Sequence, residues 1–310
     1  MNPRLNKAIM LLVATLILAI SVFFITCSSS TESEKLQSDD QNISTSFEFE
    51  GLQRNYSLFL PNDYTDTIKF PLVIYLHCYG WSASQGKNYT QLHLVADTSG
   101  FIVVYPSAEP DWNSGIGDGP GWPTSNFDDV GFINALIDTL SNHYSLDLDR
   151  IYTCGYSNGG FMAYKLACQL SHRIAAIASV GGVMSTSTLA NCNSGNTMPV
   201  LQIHGTADPW VSMYGDMGWH SVNETLSYWT NINNCVEADT TILPDLNQTD
   251  GCSVEKISYT NCSDESDVIF YKVIDGGHTW PGADPPGYNA GKTNHDIHAS
   301  TLILNFFNNH

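Results

Sequence analysis

The first regular alternation of apolar and polar positions begins near Ser46. Phe47 and Phe49 precede a turn at Gly51, and Tyr56, Leu58 and Leu60 run up to Pro61. Side chains in a strand point to opposite faces with a period of two, so this spacing predicts a two-stranded hairpin. The pattern then changes. Residues 71–76, 101–105, 150–154 and 199–203 are short, nearly unbroken apolar runs bounded by turn residues, with 174–180 and 268–274 as further candidates. Strands covered on both faces read in this way. Between them, residues 129–144 place Val130, Ile133, Leu136, Ile137 and Leu140 on one helical face behind an acidic N-terminal cap, and 161–170 and 301–307 read likewise. Strands alternating with helices after an opening hairpin predict an α/β fold, a mostly parallel central sheet with helices on both faces. Residues 113–126, rich in Gly, Pro, Ser and Asp, predict a long loop bordered by Trp112 and containing Trp122.

The N-terminus follows a different logic. Arg4 and Lys7 precede an uninterrupted apolar or small run from Ala8 to Thr26 that ends at Cys27, followed by Ser28, Ser29 and Ser30. A positive segment followed by an apolar one is an export signal. Its end resembles a bacterial lipoprotein signal, in which the cysteine is lipidated and becomes the mature N-terminus. Phe24 and Thr26 depart from that pattern, and a retained membrane anchor stays open as the other reading. Both place the rest of the chain outside the cytoplasm. The expected organisation is an export signal over 1–26, a flexible polar tether over 27–44 and one catalytic domain over 45–310. A chain with 43% hydrophobic and 14% charged residues suits a single large core. Its net charge of −19, with no cluster of Lys or Arg, argues against nucleic acid as a partner.

Gly155-Tyr156-Ser157-Asn158-Gly159 lies between the strand expected over 150–154 and the helix that follows. In that context the pattern is a nucleophile elbow, whose glycines leave room for a strained turn that lifts the serine hydroxyl above the sheet. Serine needs a base and an orienting acid, which this architecture supplies in the order Ser, Asp or Glu, His. Asp208 follows the strand over 199–203, and His278 follows the strand over 268–274 behind Gly276 and Gly277. Asp275 competes as the acid, and His77, His204, His220, His295 and His298 compete as the base. Surface or structural roles are expected for those histidines, the last two on a terminal helix. An oxyanion requires two converging backbone N–H groups; Asn158 and Tyr79, in the loop after residues 71–76, are assigned to it. Trp81, Trp122, Trp210 and Trp280 each lie beside a motif and are candidate substrate walls, with core packing the alternative for any one of them. The chemistry needs no metal and no organic cofactor, and the cysteines show no zinc-ligand spacing.

Taken together, Leu76-His77, Phe127-Asp128-Asp129-Val130-Gly131-Phe132, the elbow, Ile203-His204-Gly205-Thr206-Ala207-Asp208 and Gly276-Gly277-His278-Thr279-Trp280-Pro281-Gly282 resemble the polyhydroxybutyrate depolymerase and feruloyl esterase family of α/β-hydrolases. The resemblance runs from about Phe47 to the C-terminus. It implies a Ser157–His278–Asp208 triad and a feruloyl or acetyl ester of plant polysaccharide as substrate, with a hydroxyalkanoate polyester second. It also implies a disulfide between Cys235 and Cys262, with Cys168 and Cys192 a further candidate pair. Two departures stand out: Cys78 where Gly is common, and Gly121-Trp122-Pro123 where members often have Cys-Trp-Asn-Trp. A surface lipoprotein that uses the scaffold to bind glycans or a partner is the reading from another class. A peptidase of the same fold lacks support in the form of an added cap or propeller domain.

Overall fold

A computed structural model describes residues 42–116 and 125–310. Cys27, Trp122, the export segment and nearly all of the tether lie outside these residues.

Among the described residues ten strands form one sheet: β1 (Asn42–Phe49), β2 (Leu52–Phe59), β3 (Phe70–Leu76), β4 (Ile102–Pro106), β5 (Leu146–Tyr156), β6 (Ala176–Val180), β7 (Val200–Gly205), β8 (Glu237–Ile242), β9 (Ser253–Thr260) and β10 (Val268–Ile274). Their spatial order is β1-β2-β4-β3-β5-β6-β7-β10-β9-β8. The six strands from β4 to β10 in that order pair in parallel. The hairpin β1–β2 joins antiparallel to β4 at one edge, and β9 and β8 add antiparallel beyond β10 at the other. The first strand starts at Asn42, inside the segment expected to be tether, because Asn42, Ile43 and Ser44 pair with Phe59, Leu58 and Ser57.

Alternate residues of the central strands feed two separate cores. Leu72, Ile74 and Leu76 of β3 face one, and Val73 and Tyr75 face the other. The first core is closed by α3 (Asp129–Ser141), α4 (Asn158–Gln169) and α6 (Val222–Ile232), through residues such as Phe132, Leu136, Phe161, Leu166 and Trp229. The second is closed by α1 (Ala83–Thr90), α2 (Leu92–Ser99) and α7 (Ala299–Phe307), through Ala83, Leu92, Ala96, Ile303 and Phe307. A short α5 (Thr186–Ala190) follows β6. Burial on both faces explains why the inner strands read as unbroken apolar runs.

The elements introduced above that were not expected from sequence are α1, α2, α5, α6, β8 and β9. All six residues of β8 are exposed, so Glu-Ala-Asp-Thr-Thr-Ile carries no burial signal. His295 and His298 also sit differently from expectation: α7 begins at Ala299, His298 is its N-cap, and His295 lies in the preceding loop. Both expected disulfides are present, Cys168–Cys192 and Cys235–Cys262. Cys78, Cys154 and Cys252 are buried free thiols.

Candidate active site

After β3 the chain moves to β4 on one side and then returns to β5 on the other. The switch point lies at the carboxyl ends of β3 and β5, the place where open α/β sheets bind their ligands. Ser157 stands there, directly after β5, with φ 55° and ψ −117°. Such a conformation is costly for a residue with a side chain and persists where its surroundings enforce it. Here they do. The Ser157 N–H donates to the Val180 carbonyl at 2.8 Å, and α4 begins at the next residue. A Cβ on Gly155 would come within 2.2 Å of the Gly159 backbone, and one on Gly159 within 2.0 Å of the Leu76 carbonyl oxygen. Gly155 is therefore required by contact within the elbow, and Gly159 by contact between the elbow and the end of β3. The Ser157 side chain remains partly accessible at the first turn of α4, whose free N–H groups make a region of positive potential.

His278 and Asp208 meet at the same rim. The Nδ1 of His278 donates to Oδ2 of Asp208 at 2.7 Å, and the Asp208 carboxylate is fully buried. Its other oxygen, Oδ1, accepts the N–H groups of Trp210 and Val211, each at 2.8 Å. Burial pushes the Asp208 carboxyl up, but the hydrogen bond and charge of His278, with His204 and the Val211 N–H, outweigh it and hold the carboxyl below its ordinary value. The imidazole of His278 stacks on Tyr156, the residue before the elbow serine, with ring centroids 5.1 Å apart. It also lies over Gly181, where an added Cβ would be 3.1 Å from Nδ1 and Cε1. Tyr156 Oη donates to the His278 carbonyl at 2.6 Å and fixes the loop behind the ring.

The competing groups are placed elsewhere. Asp275 is exposed to solvent, with its N–H bonded to Thr206 Oγ1. His204 is buried; its Nε2–H donates to the Val211 carbonyl at 2.8 Å and supports the Asp208 turn, and burial lowers its pKa. His77 is buried too and pushed down to about 4 by burial, bonded to the Cys78 carbonyl and the Ala108 N–H. His220 lies 3.7 Å from Glu224 on another surface turn. Among the described residues no group of three or more His, Cys, Asp or Glu is arranged around a common point as metal ligands would be.

Tyr79 lies in the turn after β3, closed by the Trp81 N–H on the Cys78 carbonyl at 3.2 Å. Gly80, with φ 70°, takes the left-handed position of this turn. The Gly159 contact with Leu76 and His77 brings this turn alongside Asn158.

The tryptophans divide. Trp280 has no exposed surface; its Nε1 donates to Ser300 Oγ at 3.0 Å, and its ring packs between Tyr75 and Tyr156. It belongs to the core, and the expectation that it touches substrate is corrected. Trp81 is half-buried and Trp210 is 51% exposed. Between them stands Tyr288, with ring centroids 6.4 Å from each. Its hydroxyl is 2.8 Å from Tyr156 Oη, so an aromatic row borders His278. Tyr288 carries no motif signal: it sits in a Pro- and Gly-rich loop that only the fold brings to the rim.

Residues 66–232 match the Phospholipase/Carboxylesterase family, a span of more than half the chain. Feruloyl esterase D of Neurospora crassa is 26% identical over 252 residues, covering 77% of this chain and 78% of its own. Among solved structures, the acetyl xylan esterase from Aspergillus awamori superposes with a TM-score of 0.60 at 15% identity, covering 87% of this chain and 99% of its own. A ferulic acid esterase from the anaerobic fungus Anaeromyces mucronatus gives 0.52 at 15% identity, covering 86% and 88%. The sheet order, the elbow at its switch point and these similarities lead to one conclusion: the chain belongs to the Phospholipase/Carboxylesterase family, a serine ester hydrolase of the α/β-hydrolase fold.

Proposed function

We propose that this enzyme cleaves feruloyl or acetyl esters of plant polysaccharide through a Ser157–His278–Asp208 triad. The observation that carries the triad is the 2.7 Å bond from His278 Nδ1 to a buried Asp208 carboxylate, on a ring stacked against the residue before Ser157. With Nδ1 protonated and held, Nε2 is the free base. Ser157 Oγ attacks the ester carbonyl while Nε2 takes its proton, and the carbonyl oxygen gathers negative charge against the N–H groups of Tyr79 and Asn158. The tetrahedral species collapses, His278 returns the proton to the leaving alcohol, and the acyl group stays on Ser157. Water, deprotonated by the same imidazole, then releases the acid.

The substrate class rests on the relatives and on the aromatic row. Trp81, Tyr288 and Trp210 offer flat apolar faces with polar edges, suited to a phenolic acyl group or a sugar ring. Export is supported by the two disulfides, which persist in oxidising compartments. Cys27 is the proposed lipid attachment point, and the membrane would be reached only through it.

The purified protein is assayed on p-nitrophenyl acetate, methyl ferulate, acetylated xylan and polyhydroxybutyrate beside Ser157→Ala. Turnover of the polysaccharide-type esters with loss of about 10⁶-fold in the variant is expected. Equal rates in the two proteins would remove Ser157 from the chemistry, and turnover confined to polyhydroxybutyrate would overturn the substrate class.

A further inference from the structure

The segment between β4 and α3 touches both sides of the proposed oxyanion site. On the β3 side, the Ala108 N–H donates to Nε2 of His77 at 3.1 Å, and Nε1 of Trp112 donates to the His77 carbonyl at 3.1 Å. Oδ1 of Asp111 accepts the Gly80 N–H at 2.6 Å, one residue beyond Tyr79. On the elbow side, the Trp112 carbonyl accepts from Nδ2 of Asn158 at 3.4 Å, and Ser114 Oγ bonds Oδ1 of the same amide. Five hydrogen bonds thus link one short stretch of chain to Asn158 on one side and, on the other, to Gly80 and His77, which flank Tyr79 within two positions.

The stretch is itself rooted. The Asn113 N–H donates to Oδ2 of Asp129 at 2.7 Å, and its carbonyl accepts Nζ of Lys165 at 2.6 Å from α4. Oδ1 of Asp129 pairs with Arg54 of β2 at 2.6 Å, with both side chains buried, and the guanidinium lies 3.7 Å over the Phe132 ring. A buried ion pair gains little net stability after desolvation. It does fix geometry, and that is what this position needs. Asp128, the other acid of the Asp-Asp-Val block, caps α3 through the Gly131 N–H at 2.9 Å.

We propose that residues 108–114 act as a spacer that sets the distance between the two oxyanion donors, and that Asp111 is a positioning residue acting through Gly80. This rests on the serine mechanism proposed above. Asp111 does not touch the substrate; it holds the turn that carries Tyr79 at the place where the anion develops. Its loss would therefore weaken the transition state and leave ground-state binding intact.

Kinetics on p-nitrophenyl acetate test this with Asp111→Ala, Asp111→Asn, Trp112→Phe and Ser157→Ala, each checked by its melting curve. A donor displaced by a fraction of an ångström costs about 10- to 100-fold. Asp111→Ala should lose that factor in kcat with KM unchanged. Phenylboronic acid, which forms a tetrahedral anion on an active serine, should lose affinity by the same factor. Asp111→Asn, whose amide oxygen still accepts the Gly80 N–H, should recover most of the rate. Trp112→Phe, which keeps an aromatic ring but deletes the Nε1 bond to His77, should repeat the kcat loss if Asp111→Ala does not fold. Wild-type kcat and boronate affinity in the Asp111 and Trp112 variants, or a change confined to KM, would overturn the spacer. If that happens while Ser157→Ala is inert, the serine mechanism survives; an active Ser157→Ala protein defeats the mechanism itself.

Discussion

Replacing Asp208 by Asn alters one atom pair and has a consequence that the hydrogen bonds dictate. Oδ1 accepts two backbone N–H groups, from Trp210 and Val211 at 2.8 Å, and Oδ2 accepts His278 Nδ1 at 2.7 Å. In the amide, the oxygen must occupy the first place, because an NH₂ there would face two donors. The NH₂ group therefore points at His278 and turns Nδ1 into an acceptor, which moves the ring proton to Nε2. That tautomer cannot take the proton of Ser157. The loss expected is about 10⁴-fold in kcat, by analogy with the same change in a serine protease triad, or about 5.4 kcal/mol of barrier. The variant should still fold, since both Oδ1 bonds survive. The pH dependence has a definite sign. Asp208 titrates lower in the folded chain than at its ordinary value of 3.8. Its stabilising contribution is thus complete above that value and is lost as the pH falls through the folded one. The difference in melting temperature between wild type and variant should be largest at neutral pH and shrink below about pH 4. Steady-state hydrolysis of p-nitrophenyl acetate at neutral pH, with melting curves from pH 7 downward, reads both effects. A variant retaining kcat within about ten-fold of wild type would refute the tautomer argument.

Two further outcomes separate wall from core and test the covalent frame. Trp280→Ala removes a fully buried ring and should cost about 3–5 kcal/mol of stability, whereas Trp210→Ala should leave the melting temperature nearly unchanged and raise KM for methyl ferulate; the reverse pattern would misplace the wall. Reduction of the disulfides, which close separations of 24 and 27 residues, should lower stability by about 3.5 kcal/mol each in the chain-entropy account, and an unchanged melting curve under reductant would contradict it.

Much of this enzyme is legible in the order of its residues. Strands buried on both faces must be apolar throughout, so β3, β4, β7 and β10 appear in the chain within a residue or two of where they fold. The elbow is legible because steric contact leaves no choice: side chains at Gly155 and Gly159 would overlap backbone atoms. The roles proposed for Asp208 and His278 follow from the order expected after a serine placed just beyond β5.

Other features have no such local cause. Strand β8 is held by pairing with β9 alone and is exposed along its length, so it leaves no hydrophobic trace. Trp280 and Trp210 look alike beside their motifs, yet one is enclosed by α7 and the tyrosines while the other faces solvent. Tyr288 reaches the rim, and Asp111 reaches Gly80, only because loops from distant strands converge there. The sequence by itself determined which segments must be buried and which backbone must lack a side chain, since those demands act at each residue. Which exposed ring borders His278, and which carboxylate accepts from the turn beside Tyr79, was decided by tertiary structure, because hydrogen bonds and ring contacts between remote segments leave no periodic mark on the chain.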